Sequence, residues 1–442
     1  MADTETSALD RVLSKLVSVR PGETPALLWS FAYFFVLLAS YYILRPVRDQ
    51  MGIAGGVKNL PNLFTVTFIV MLIAQPVYGA LVARVSRAKF IPIVYHFFVL
   101  NLAIFWALLH FNIDVKLTAQ AFFVWISVFN LFAVAVFWSF MADLYESEQS
   151  KRLFGFVAAG GQAGALLGGS VLTITLAKVL GPANLLILAG VMLEVAVFCT
   201  ARLEKAVAVL APKEPRREMV HNPAKEQQQV VGGGWLEGFI AIIKSPYLAG
   251  NAIWMVLLSF TGTVIYLEQA NLVAASGADA ASQVRIFATV DLVAGIITLF
   301  VQWLITGRMM TRLGTAVSLA FQPVVFLLGF ALLAVSPGLL MVLGFQSLQR
   351  AAGFAISNPA RQVLFTVVSR DDKYKAKNVI DAVVFRGSDA ASSQVFTGIK
   401  SIGAVAGIGL ALSVVWVALS WGLGRTEERK ARELERAALA AS

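Results

Sequence analysis

Five arginines and six acids stand inside stretches of this sequence that are otherwise apolar, and these are the residues best equipped to do chemistry. Arg45, Arg48 and Asp49 are spaced i, i+3, i+4, so a helix presents them on one face. Asp381 and Asp389 lie two turns apart, and Arg386 reaches Asp389 at i+3. Gln346, Gln349 and Arg350 share another face, while Arg285, Asp291, Glu268, Gln269 and Glu194 complete the set. A charge at mid-bilayer costs on the order of 3 kcal/mol even on a lenient insertion scale, so each one retained pairs across helices or lines water. A guanidinium group suits bidentate contact with phosphate or carboxylate. Arg45, Arg48, Arg350 and Arg386 are therefore the expected contacts of an anionic substrate, with Gln346 and Asp389 beside them. A carboxylate in low dielectric can exchange a proton near neutral pH, which makes Asp291 and Asp381 the candidates for proton coupling. The plainer alternative is salt bridging between helices, with Asp49 neutralising one arginine.

The elements that must hold these residues are set by composition. The chain has 442 residues, 58% of them hydrophobic and 14% charged, with a mean hydropathy of +0.74, which excludes an ordinary soluble globular protein. The formal charge of +10 does not require a nucleic acid. Most Lys and Arg fall to one side of the predicted spans, and only Lys58, Lys116, Lys178 and Lys400 to the other. That is the positive-inside bias, with both termini cytoplasmic. Cys199 is the only cysteine, and His96, His110 and His221 form no ligand spacing, so no metal, cofactor or redox pair is expected. Nucleophile–base constellations and a phosphate-cradling G-x-x-x-x-G-K-[ST] loop are missing, which argues against an enzyme.

Twelve apolar stretches, each near the ~20 residues that a crossing helix needs, predict twelve transmembrane helices in an all-α membrane protein. They divide as a cytoplasmic segment 1–24, a six-helix bundle 25–203, a linker 204–246, a second six-helix bundle 247–422 and a cytoplasmic tail 423–442. The linker carries Pro212, Pro215, Pro223 and Gly232-Gly233-Gly234, and it ends in a short interfacial helix from Trp235 to Lys244. Pro46 kinks the first span near Tyr42. Gly160, Gly164 and Gly168 repeat every four residues and give one helix a face that a neighbour's backbone can approach. A repeat supports the two halves. Gly79 precedes Arg84 and Ser86 as Gly307 precedes Arg312 and Gly314, which places Arg84 and Arg312 in equivalent gating loops.

Both loops resemble, in degenerate form, the loop signature of the major facilitator superfamily, with Ala83 where that signature has an acid. Three segments look like stretches of the nucleotide (ATP/ADP) translocases within that fold: Tyr42-Ile-Leu-Arg45-Pro-Val-Arg48-Asp49, the run from Phe137 to Gly155, and Lys373-Tyr-Lys375-Ala-Lys377-Asn-Val-Ile-Asp381. The resemblance implies two pseudo-symmetric bundles with a site near the midplane between them. It also implies phosphate contact at Arg48. Asp389 falls where that family has a functional lysine, and a reversed charge repels a triphosphate. The expected protein is a monomeric secondary transporter in the lipid bilayer, working by alternating access on a small anion. A phosphorylated metabolite or smaller organic anion fits the mixed charges better than a nucleotide. Nucleotide exchange, a lipid or lipid-precursor flippase and a non-transporting scaffold are the alternatives.

Overall fold

The computed structural model describes residues 19–20, 22–84, 87–145, 147–210, 235–369, 376–377, 379–399 and 401–441. Most of the expected linker (211–234), His221, and Lys373, Tyr374 and Lys375 of the third resembling segment lie outside the described residues. The described residues are helical apart from short turns and connections, with no strand among them. In order it forms α1 (Thr24–Ala54), α2 (Leu60–Arg84), α3 (Arg87–His110), α4 (Val115–Leu144), α5 (Ser147–Ala163), α6 (Leu172–Leu210), α7 (Trp235–Lys244) and α8 (Pro246–Ala275). There follow α9 (Ala280–Val301), α10 (Gly307–Val335), α11 (Leu339–Ala352), α12 (Asn358–Val363), α13 (Phe385–Phe396) and α14 (Ile402–Ala441). Sequence sets several of the starts. Ser245 accepts from the Leu248 amide ahead of Pro246, and Asp114 accepts from the Leu117 amide, each supplying a donor's missing partner at a helix N-terminus.

Among the described residues nine segments are long and apolar enough to cross a membrane. Two of them, Arg152–Ala208 and Ala280–Val335, are 57 and 56 residues long and hold two crossings each. The chain reverses at Gly181 and Gly314, whose φ values of +76° and +83° lie in the left-handed region that glycine tolerates. The stretch Val379–Phe396, charged by Asp381, Arg386 and Asp389, covers the eleventh expected crossing. This is a multi-pass, all-helical membrane protein among its described residues. The helix α7 spans the residues expected of an interfacial helix, and α14 continues through 423–441, where the hydropathy pattern ends the last span at 422.

Packing groups the chain into two compact units. One comprises Met1–Gly55, Val70–Val220 and Ala278–Leu292; the other comprises Gly56–Ile69, His221–Gly277 and Val293–Ser442. In the first unit α1 is the central element. Phe34 stacks on Phe137 of α4 with ring centroids 4.0 Å apart, and Tyr33, Leu37, Phe129, Leu186 and Leu193 are buried around it. Lipid tails are as apolar as leucine, so such contacts stabilise by close packing rather than by escape from water. The glycine stripe is where this packing is tightest: a Cβ on Gly164 would lie 2.0 Å from the Phe35 carbonyl oxygen of α1, and Gly160 and Gly168 abut Phe31 and Ala39. The second unit centres on Trp254, Trp416, Phe326, Phe330 and Phe345, in edge and tilted ring contacts.

Candidate functional site

In the first unit the charges form two neighbouring pairs. Arg45 Nη1 lies 3.3 Å from Oδ1 of Asp291 on α9; the two side chains are 17% and 1% exposed. The Arg45 guanidinium also sits over the Tyr42 ring, 5.6 Å from its centroid. Arg48 turns back on its chain neighbour, with Nη2 and Nε 2.8 and 3.0 Å from Asp49 Oδ1, and lies over the Phe123 ring at 4.7 Å. The shared face of Arg45, Arg48 and Asp49 is thus divided: Asp49 neutralises Arg48, and Arg45 takes a carboxylate from another helix. Helix α1 runs on to Ala54, which puts the whole cluster inside a continuous helix that includes Pro46. Arg285, six residues before Asp291 on α9, is half-buried, and its Nε has no hydrogen-bond acceptor among the described residues.

Two further arrangements in this unit leave no signal in the sequence. His96 Nε2 and Glu194 Oε2, on α3 and α6, stand 3.3 Å apart and half-exposed, beside a mainly apolar recess of about 420 Å³ lined by Val99, Gly190, Glu194 and Phe198. At the start of α1, Glu23 receives both terminal nitrogens of Arg152 at 3.1 and 3.0 Å, Gln149 Nε2 at 3.0 Å and the Arg20 amide at 2.9 Å. Burial alone would raise the Glu23 carboxyl pKa, but these donors outweigh it and hold the group below its ordinary value.

The second unit holds three polar groups. Arg361, a loop charge by hydropathy, is buried on α12, and its Nη1 is 2.6 Å from Asp381 Oδ1. Asp389 is buried on α13. Its Oδ1 accepts from Ser259 Oγ at 2.5 Å and Thr263 Oγ1 at 3.0 Å, both on α8, and its Oδ2 lies 3.4 Å from Arg386 Nη1. Gln346 is buried and accepts from Gln349 Nε2 at 2.5 Å, while Gln322 Nε2 reaches the Gln349 carbonyl at 3.4 Å. Arg350 is half-buried on the same helix. Spacing alone puts Asp381 and Asp389 on one face, yet they take partners from different elements. Asp381 lies within the wider π-turn Val379–Val384, which shifts the helical face before Asp389 is reached. Arg386 does reach Asp389 at i+3, as its spacing predicts. The expected gating residues differ in what can be said of them: Arg312 is exposed two residues before the Gly314 turn, whereas the Arg84 side chain lies outside the described residues.

A family model described as Major Facilitator Superfamily matches residues 26–376. No curated protein matches the chain. Among solved structures it is similar to a bacterial homologue of the iron transporter ferroportin in an inward-facing state, with TM-score 0.65 and 12% identity over 91% of this chain and 98% of that one. It is also similar to the peptide transporter POT in complex with sulfate (TM-score 0.58, 14% identity, 90% and 95% covered). The nucleoside transporter NupG is a third (TM-score 0.53, 14% identity, 91% and 98% covered). At these identities the likeness concerns the fold.

Proposed function

The chain belongs to the major facilitator superfamily, and from that premise we propose that this membrane transporter is a secondary carrier of a small organic anion, moved by alternating access. The observation that carries the reading is the state of its in-span arginines. Arg45, Arg48, Arg361 and Arg386 each hold an internal carboxylate, at 3.3, 2.8, 2.6 and 3.4 Å. A guanidinium group kept at membrane depth with an internal counter-ion is a site where an anionic ligand can substitute for that counter-ion. Arg48 and Arg386 are the better placed, since their side chains stay 20% and 32% exposed. The carboxylate released in the exchange is then available to a proton or another cation, and Asp291 and Asp381 remain the proposed proton-coupling groups.

Substrate class follows from charge. Every one of these arginines faces an acid, so each pair is close to neutral and suits an anion of one or two charges, such as a carboxylate or a phosphorylated metabolite. Nucleotide exchange remains the runner-up on the strength of Arg48, against which stands the carboxylate of Asp389. In the cell the protein would act as a monomer in a bacterial cytoplasmic membrane with both termini inside, as its basic loops support. A thermal-shift screen of purified protein against carboxylates, phosphorylated sugars and nucleotides tests the substrate class. Stabilisation by an anion, lost in Arg48→Gln and Arg386→Gln, supports it. Stabilisation only by neutral or cationic compounds refutes it.

A further inference from the structure

The surroundings of Asp389 contain an excess of oxygen over protons. Ser259 Oγ has one proton and stands 2.5 Å from Asp389 Oδ1 and 3.2 Å from the Phe385 carbonyl oxygen, so it serves one of them at a time. Thr263 Oγ1 stands 3.0 Å from the same Oδ1. Ser259, Thr263 and Asp389 are all buried, at 3%, 5% and 8% exposure. A carboxylate, two hydroxyls and a main-chain carbonyl therefore converge with more lone pairs than donors. The carbonyl belongs to the first residue after a π-turn, a distortion that often marks functional sites. The cation now attached is Arg386, whose 3.4 Å contact is long beside the ~2.7–2.9 Å of a good charge-assisted bond. Its guanidinium rests over the Phe385 ring and is partly exposed, so it has somewhere to go.

We propose that Asp389, Ser259, Thr263 and the Phe385 carbonyl form a binding site for a monovalent alkali cation of the size of Na+, which displaces Arg386 from Asp389 when it binds. The donor set is that of a hard cation, all oxygen. A single carboxylate matches a single positive charge, whereas divalent sites gather more carboxylates. The hydroxyls turn their protons outward and present lone pairs to the ion. The close spacing of the oxygens favours the smaller alkali ion over K+. In transport, the ion would release Arg386 to an anionic ligand, and this last step alone rests on the function proposed above.

The site can be tested without any substrate. Purified protein in lipid nanodiscs is melted at fixed pH across a NaCl series, with choline chloride holding ionic strength constant. A saturable, Na+-specific rise in melting temperature is expected in the wild type. In Ser259→Ala/Thr263→Val, which keeps every charge, the midpoint moves about tenfold higher in Na+, a loss of ~1.4 kcal/mol. In Arg386→Gln, which removes the competing internal cation, the midpoint falls by about tenfold or more. A purely structural Arg386–Asp389 pair gives no such tightening. No Na+-specific shift in the wild type, unchanged or weaker Na+ binding in Arg386→Gln, or a shift that follows pH and ignores Na+ would each overturn the proposal. Those results would leave the anion carrier untouched, and a failed anion screen would leave Na+ binding untouched.

Discussion

Asp291→Asn removes the charge of the most completely buried acid in the in-span pairs while keeping its shape. Two unit charges 3.3 Å apart attract by about 5 kcal/mol at an effective dielectric constant of about 20. Arg45 keeps 17% of its side-chain surface exposed, so hydration recovers part of that loss. The expected cost is about 3 kcal/mol, the low end of what breaking a buried pair costs. With ~2.1 cal/mol/K of unfolding entropy per residue over 442 residues, that cost lowers Tm by about 3 °C. The assay is thermal unfolding of detergent-purified protein followed by tryptophan fluorescence, with half-life at fixed temperature as the companion measure. The double variant Arg45→Leu/Asp291→Leu should recover most of the loss, because an apolar pair leaves no uncompensated charge. A Tm unchanged in Asp291→Asn, or a double variant worse than either single change, refutes the reasoning.

Acidification should loosen the Glu23 contacts with a defined sign. The folded carboxyl titrates below its ordinary value of 4.5, so its stabilisation is complete above that pH and is lost as pH falls through the lower folded value; Glu23→Gln should flatten this acid limb in a Tm–pH series. Gly164→Val forces a branched side chain against the Phe35 carbonyl and should cost about 1–3 kcal/mol by overpacking, read as a fall in Tm and in monodisperse yield. Tyr33→Phe removes the buried hydroxyl–hydroxyl hydrogen bond with Tyr95 and should cost about 1 kcal/mol, measured by the same unfolding assay.

The sequence reveals what repeats along one helix and conceals what depends on how two helices are rotated. The crossings, the Trp235–Lys244 helix, the glycine face and the Arg386–Asp389 contact all arise from spacing within a single element. The partners of Asp291, Asp389 and Glu194 come from Arg45, from Ser259 and Thr263, and from His96, each on another helix far along the chain. Hydropathy averages over a window and carries no information about such rotation. Among the described residues four π-turns, at Gly164–Val171, Gln302–Thr306, Gly353–Ser357 and Val379–Val384, each shift a face by an amount that a 3.6-residue period does not register. Arg361 is buried in a short helix that opens with Asn358-Pro359, where proline at the first turn is a start signal as much as a break. The extension of α14 does leave a signal: Arg425 and Glu428, then Arg429 and Glu433, have helical spacing and are ion-paired.

The most direct measurement is uptake into proteoliposomes preloaded with unlabelled compound, run across labelled carboxylates, phosphorylated metabolites and nucleotides. An anion carrier shows saturable counterflow of at least one anion, and Arg48→Ala abolishes it in protein that still folds, with Tm lowered by no more than the few degrees expected of a broken buried ion pair. Counterflow confined to neutral or cationic compounds, or anion uptake undiminished by Arg48→Ala, would contradict it.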